Sequence, residues 1–454
     1  MPTLTRFRPT VLVLALTTLA ATDAAAQTGR ALAERLDSIA GAGVLANRAV
    51  GTVAAVVRGN DTLLIKGYGK ANVEWDVPMP ADAMFEIGSV TKQFTAVAIL
   101  QLRDEGKLSL DDEITKWLPD FDMRGNRVTV RRLLDHTSGI VGLTEMPEFD
   151  LLAWNQRFPR DSAYALIKRY PFQFPTGTAQ MYNNSAFWLA GLIVEKASGM
   201  TYEDYVEQRI FAPLGMTRSM YCNSGESVPR RANGYSVQNG VVRRAPNNVH
   251  TWPFAAGSLC STVGDLVTWV HALHGGKVLS PASYREMITP ATLNDGTPLR
   301  YGMGIGVGTD SRGRTYIGHG GTVTGFTAEA GWYPDAQLAV VALVNSGGGT
   351  DAGDVASELA AALMPGEDPV VAPFTGDAAP LVGTYRGPGR GRDMVIQVTQ
   401  APEGGIAVAV NGGSSRPVPW IGGTTFRVGS NVLTFRNGDL HLSGSSAYTV
   451  LKRQ

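Results

Sequence analysis

The sequence predicts a mixed α/β unit followed by a small all-β module. Three observations carry this reading: strand-like runs at both ends of the first 365 residues, mainly helical text between them, and short alternating runs beyond a proline-rich break. Strands at the two ends with helices between suggest one sheet, in which the first and last strands meet. The chain has 454 residues, 44% hydrophobic and 18% charged, which allows more than one well-filled domain and excludes general disorder. Lys plus Arg and Asp plus Glu both number 40, so no basic excess suggests nucleic acid as a partner.

Taken in order, "MPTLTRFRPTVLVLALTTLAATDAAAQ" sets Arg6 and Arg8 before an apolar run from Val11 to Ala20, then Ala24-Ala25-Ala26. That order predicts a secretory signal over residues 1–26, cleaved near Ala26, and an exported protein, periplasmic or secreted. The run is shorter than the ~20 residues a bilayer span needs, and no later segment is apolar for long enough to span, so no stable membrane insertion is expected. No Cys follows the signal, which excludes lipid attachment there.

"ALAERLDSIAGAG" reads as an amphipathic helix, and "VGTVAAVVRGNDTLLIKGYG" as two strands around a Gly59-Asn60-Asp61 turn. The helix carrying "FEIGSVTKQFTAVAILQL" stops at Gly106. "SAFWLAGLIVEKASG" and "GDLVTWVHALHGG" are helices closed by glycine. Strand character returns in "RTYIGHGG", "GFTAEAGWYP" and "LAVVALVNS", and "DVASELAAALM" is the final helix of a domain spanning 27–365. Residues 366–380, with Pro369, Pro373 and Pro380, read as a linker. Residues 381–454 hold short alternating runs with Gly-rich and Asn-Gly turns, an all-β meander or small barrel. The two cysteines, Cys222 and Cys260, make no disulfide framework; a pair and two free thiols are both open.

The chemistry concentrates in three places. Ser89 and Lys92 lie three apart on one helix face, at an N-terminus whose unpaired N–H groups favour an anion. Surrounding apolar residues should desolvate Lys92 and lower its pKa, making it a proton acceptor for a serine that needs one. Alone, the pair reads equally as a capping serine and a snorkelling lysine. Tyr182 and Asn184, before a strong helix, offer a second proton carrier and an amide; a nearby ammonium should depress the Tyr182 phenol. The plain alternative has Tyr182 packing and Asn184 capping that helix. His319-Gly320-Gly321 on a strand would let a substrate backbone approach, and the Thr322 N–H could join that of Ser89 as an oxyanion donor. Tyr221-Cys222-Asn223 and His274-Gly275-Gly276 match these spellings, but no comparable helix follows the first and the second ends a helix. No Gly-x-Ser-x-Gly, P-loop, His-Glu-x-x-His or zinc-spaced cysteine pair occurs, and six scattered histidines suggest no metal site.

Ser-x-x-Lys, Tyr-x-Asn and His-x-Gly in this order resemble the penicillin-recognising serine hydrolases: class C β-lactamases, D-alanyl-D-alanine carboxypeptidases, D-aminopeptidases and related esterases. "LLDHTSGI", "FPTGTAQMYNN", "IFAPLGMTRS", "AGSLCSTVGDL" and "YGMGIGVG" fall in the family's order, over roughly residues 30 to 365. The resemblance implies an α/β sandwich, with an antiparallel sheet flanked by helices and an inserted helical subdomain, and no cofactor. It implies that Ser89 attacks an acyl carbonyl of a small-molecule or peptide substrate while Lys92 and Tyr182 move the proton. Asn184 would orient the substrate amide, and the N–H groups of Ser89 and Thr322 would hold the oxyanion. His319 stands where such β-lactamases have the Lys of Lys-Thr-Gly, and a neutral imidazole suits a β-lactam carboxylate poorly. That departure, with a β-rich tail like the lipocalin-like domain of some relatives, points to a peptidase or esterase. A class C-like β-lactamase and a non-catalytic penicillin-binding sensor are the competing expectations. The sequence leaves the oligomeric state and the acyl group open, and puts specificity in loops such as residues 141–158.

Overall fold

The computed structural model describes residues 12–152, 159–222, 227–310, 312–364, 372–429 and 431–454. Side chains are described from residue 29, and not for 150–152. Arg6 and Arg8 of the expected signal, Asn223, and residues 153–158 of the expected specificity loop lie outside the described residues.

The main domain is built on a seven-stranded antiparallel sheet. Its strands are β1 (Gly51–Arg58), β2 (Asp61–Asn72), β3 (Val77–Pro78), β4 (Gly306–Thr309), β5 (Thr315–Val323), β6 (Phe326–Tyr333) and β7 (Leu338–Val344), in spatial order β4-β5-β6-β7-β1-β2-β3. β1 pairs with β7 from Thr52 opposite Val344 to Arg58 opposite Leu338, so the two ends of the domain meet mid-sheet. β1 and β7 are buried almost throughout because helices cover both faces. Val53 and Ala55 point into one core and Ala54 and Val56 into the other, as the two-residue period of a strand requires.

On one face lie α1 (Leu12–Leu45), through Leu36 and Ala40, and α5 (Ala352–Leu363), through Val355 and Leu359. The larger core on the other face takes in Phe94 and Val97 of α2 (Thr91–Asp104), Phe187 and Trp188 of α3 (Asn184–Ser198), and Leu266 and Trp269 of α4 (Val263–His274). α2 is buried on nearly every side, which explains its weakly amphipathic text. It ends before Gly106, and α3 before Gly199, whose φ values of 72° and 74° are left-handed. Cys222 and Cys260 form a disulfide that ties the strand Leu259–Ser261 to the residue after Met220–Tyr221. None of the helices among the described residues is long and apolar enough to cross a membrane.

The C-terminal module is a curled antiparallel sheet, a half-barrel with its own core. Its first strand, Gly383–Gly387, pairs with both Met394–Gln400 and the last strand, Ala447–Arg453. The outer strands Arg416–Pro417 and Trp420–Gly422 are not paired to each other among the described residues, so the sheet stays open where a barrel would close. Packing of this core reaches back to Phe374 and Ala378, inside the stretch expected to be linker. The module is stitched to the main domain: Ala447 and Tyr448 pair with the short strand Gln180–Met181, and Tyr182 N–H donates to Ser446 O at 2.8 Å.

Candidate active site

Ser89 sits in the 3-10 turn Gly88–Val90, which leads directly into α2. One turn on, Lys92 is wholly buried. Its Nζ lies 3.0 Å from Ser89 Oγ, 2.8 Å from Asn184 Oδ1 and 2.8 Å from the Ala256 carbonyl oxygen. Burial pushes the Lys92 ammonium well below its ordinary range; the Arg390 guanidinium adds to this and the Glu145 carboxylate opposes it. A neutral amine has two N–H groups and one lone pair. Asn184 Oδ1 and the Ala256 carbonyl can only accept, so they take both N–H groups. The lone pair is left facing Ser89, in position to receive its proton.

Tyr182 corrects one expectation. Its phenol is raised well above 10 rather than depressed, because burial outweighs the lowering by Ser89 and the Arg390 guanidinium. Proximity to Ser89 offsets part of that rise, yet the buried Tyr182 hydroxyl closes no hydrogen bond. Lys92 Nζ stands over the Tyr182 ring, 4.7 Å from its centre, not at its oxygen. Tyr182 therefore keeps its proton, and once Lys92 is neutral its lone pair is the one that faces Ser89. Asn183, not Asn184, caps α3: its Oδ1 accepts from Ala186 N–H at 2.9 Å. That leaves Asn184 to accept from Lys92 and donate to Thr144 Oγ1 at 3.2 Å, so both ends of its amide are occupied without substrate.

The strand β5 runs beside the serine turn so closely that only glycine fits at two places. A Cβ on Gly88 would lie 2.8 Å from Thr322 N, and one on Gly321 would lie 2.0 Å from Ile87 O and 3.0 Å from Ser89 N. Gly88 also has φ of 49°. The close approach brings Ser89 and Thr322 to one cavity of about 400 Å³, together with Tyr182, Asn184, Gly320 and Gly321. His319 is buried, and burial above all, with any charge on the nearby Lys92 adding to it, holds its imidazole down at about 3, so it is neutral. Nδ1 faces the Gly320 carbonyl, which can only accept, so the proton is on Nδ1 and Nε2 accepts from Tyr301 O–H at 2.9 Å. His319 is thus a fixed wall of the site rather than a charge.

Sequence reasoning missed several neighbours. Glu145 and Thr144 come from the 141–158 loop; Glu145 pairs with Arg390, carried by the C-terminal module, whose guanidinium stands 5.5 Å from the Tyr182 ring centre. A pair 245 residues apart leaves no local signal. His136, from "LLDHTSGI", lies against Tyr182 at 4.5 Å and accepts from Asn183 N–H at 3.1 Å. The look-alike His274 ends α4 and stacks on Trp332, and Tyr221 donates to the His250 carbonyl.

A serine at a helix entrance, a buried lysine three residues on, and a glycine-lined strand opposite define a serine hydrolase of β-lactamase/transpeptidase-like fold. The chain belongs to the Beta-lactamase family, which it matches over residues 27–364. It is 29% identical over 311 residues to Penicillin-binding protein 4* of Bacillus subtilis (strain 168), covering 65% of this chain and 68% of that one. It is also 29% identical over 318 residues to a D-aminopeptidase of Brucella anthropi, covering 69% of this chain but only 58% of that protein. The crystal structure of a D-stereospecific amidohydrolase from Streptomyces sp. superposes with a TM-score of 0.62 at 28% identity, over 71% of this chain and 96% of that one.

Proposed function

We propose that this protein is an exported hydrolase of D-amino-acid peptides, amides or small esters, working through an acyl-enzyme on Ser89. The observation that carries the reading is the buried Lys92 Nζ, 2.8 Å from two oxygens that can only accept and 3.0 Å from Ser89 Oγ, so that once neutral its lone pair meets the Ser89 hydroxyl. Ser89 Oγ attacks the carbonyl as its proton passes to Lys92, and the Ser89 and Thr322 N–H groups hold the oxyanion. Tyr182, still protonated, gives its proton to the leaving nitrogen and is refilled from Lys92. Water then repeats the sequence on the ester and frees Ser89.

The neutral His319 favours a peptidase, amidase or esterase over a β-lactamase, since it offers no fixed charge to a β-lactam carboxylate. Similarity to a D-aminopeptidase and a D-stereospecific amidohydrolase supports the same substrate class. The signal-like N-terminus and the Cys222–Cys260 disulfide support export, because disulfides persist in oxidising compartments. The test is to label the mature protein with a fluorophosphonate or a fluorescent penicillin, map the adduct, and run D-peptides, amides, p-nitrophenyl esters and a chromogenic cephalosporin in parallel. Label on Ser89 with turnover of D-peptides or esters is expected. Equal turnover by Ser89→Ala would sink the proposal, as would cephalosporin turnover far above the rest.

A further inference from the structure

A second cavity, of about 400 Å³, lies between the edge of the main sheet and the C-terminal module. It adjoins the first along a shared wall of Tyr182, His319, Gly320 and Ser446. Two guanidinium groups line it, Arg300 from the main domain and Arg427 from the C-terminal module. Among the described residues neither meets a carboxylate: Arg300 donates to the Thr309 hydroxyl at 3.2 Å, and the Arg427 side chain has no partner. The acids nearby are already engaged. Asp310 holds Arg314, and Glu329 accepts from the Tyr316 hydroxyl. At the first cavity the situation is reversed, because Arg390 is neutralised by Glu145.

The site therefore carries no uncompensated cation beside Ser89, where His319 is neutral, and two of them one chamber away. In the peptidase reading, on which this inference rests, Tyr182 protonates the leaving nitrogen. Atoms beyond that nitrogen then pass Tyr182, which is also the wall of the second cavity. We propose that this cavity is the leaving-group subsite, and that Arg300 and Arg427 receive a carboxylate on the departing part of the substrate. The preferred substrates are accordingly peptides that end in a free acid. A guanidinium fork matches a carboxylate in geometry, and charge-assisted bonds in a partly enclosed site are the strong ones. The C-terminal module then acts as half of a specificity pocket, since one of the two arginines is its own.

The experiment uses the full mature chain and peptides with D-residues at the scissile bond, leaving groups of one to three residues, each made as the free acid and as the C-terminal amide. Wild type should favour the acid by about ten- to a hundredfold in kcat/KM at one or more lengths, mainly through KM. In Arg427→Gln and in Arg300→Gln the acid-to-amide ratio should collapse toward one, and Arg427→Lys should restore part of it. Each ratio is taken within one preparation, so partial misfolding cancels. Equal acid and amide rates at every length, with the amides turned over, overturn this inference alone. A ratio unchanged in both glutamine variants does the same. No turnover of either series overturns the peptidase reading and this inference with it.

Discussion

Lys92 Nζ lies 3.0 Å from Ser89 Oγ, while its other two contacts are with oxygens that can only accept. This fixes the direction of the third hydrogen bond once the amine is neutral, and in the proposed mechanism Lys92 is the base. Replacing Lys92 with Met should lower the rate of Ser89 labelling by fluorophosphonate by about 10²- to 10⁴-fold, the usual worth of a positioned base. Lys92→Arg should not restore it, because a guanidinium keeps its protons. Labelling at the wild-type rate in either variant would remove Lys92 from this role.

Arg390 and Glu145 act on Lys92 in opposite directions, so their removal should move the pH profile in opposite directions. Arg390 lowers the Lys92 pKa and Glu145 raises it. Activity needs neutral Lys92 and so rises with pH through that pKa. Arg390→Gln should shift the acid limb of kcat/KM for a neutral ester upward, and Glu145→Gln should shift it downward. Both shifts should shrink in high salt, since Arg390 is partly exposed. Shifts of one sign in both variants would contradict this account.

Gly321 has no room for a side chain. A methyl there would collide with Ile87 O and press on Ser89 N, so the serine turn and β5 must separate. Gly321→Ala should therefore cost roughly 10²- to 10³-fold in kcat, the order of one lost oxyanion donor. The substituted protein should keep its circular dichroism spectrum. Unimpaired kcat would show that the turn and strand can part without disturbing the donors.

Two adjacent asparagines should fail differently. Asn183 caps α3, so Asn183→Ala should lose about 1–2 kcal/mol in denaturant unfolding. Asn184→Ala removes an acceptor from Lys92 and should show chiefly as lost kcat, with a smaller change in stability. Chemical denaturation and kinetics on both variants separate cap from positioning group.

Glu329 should make the fold weaken as pH rises. Burial pushes its carboxyl up to about 7 from an ordinary 4.5, so the folded state keeps a proton that the unfolded state gives up. The penalty is absent below about pH 4.5, grows between 4.5 and 7, and reaches on the order of 1–3 kcal/mol above that. Glu329→Gln should flatten this slope in thermal melts taken at pH 5 and pH 8. A slope unchanged by the substitution would assign it to other groups.

Much of the main domain was legible because its signals are local or periodic. Two apolar strands about Gly59 and the run "LAVVALVNS" announced β1, β2 and β7, and their meeting followed from helices filling the middle. Ser89, Lys92, Tyr182 and His319 stood out by spacing, and the structure brings them to adjoining walls of one site. The plain alternative, in which Asn184 caps α3, does not hold: its neighbour Asn183 is the cap, and only the helix's first turn distinguishes two chemically identical side chains. The half-barrel remained a choice between meander and barrel because closure depends on whether two short outer strands meet in space.

By itself, then, the sequence placed Ser89, its neighbouring Lys92 and the strand that faces them, because helix and strand periods carry residues to predictable faces. Tertiary structure alone decided the charges. Whether Tyr182 is acid or base, whether His319 is charged, and which arginines are free depend on burial and on partners hundreds of residues away. Desolvation and Coulomb terms act through space, and no spacing along the chain encodes them.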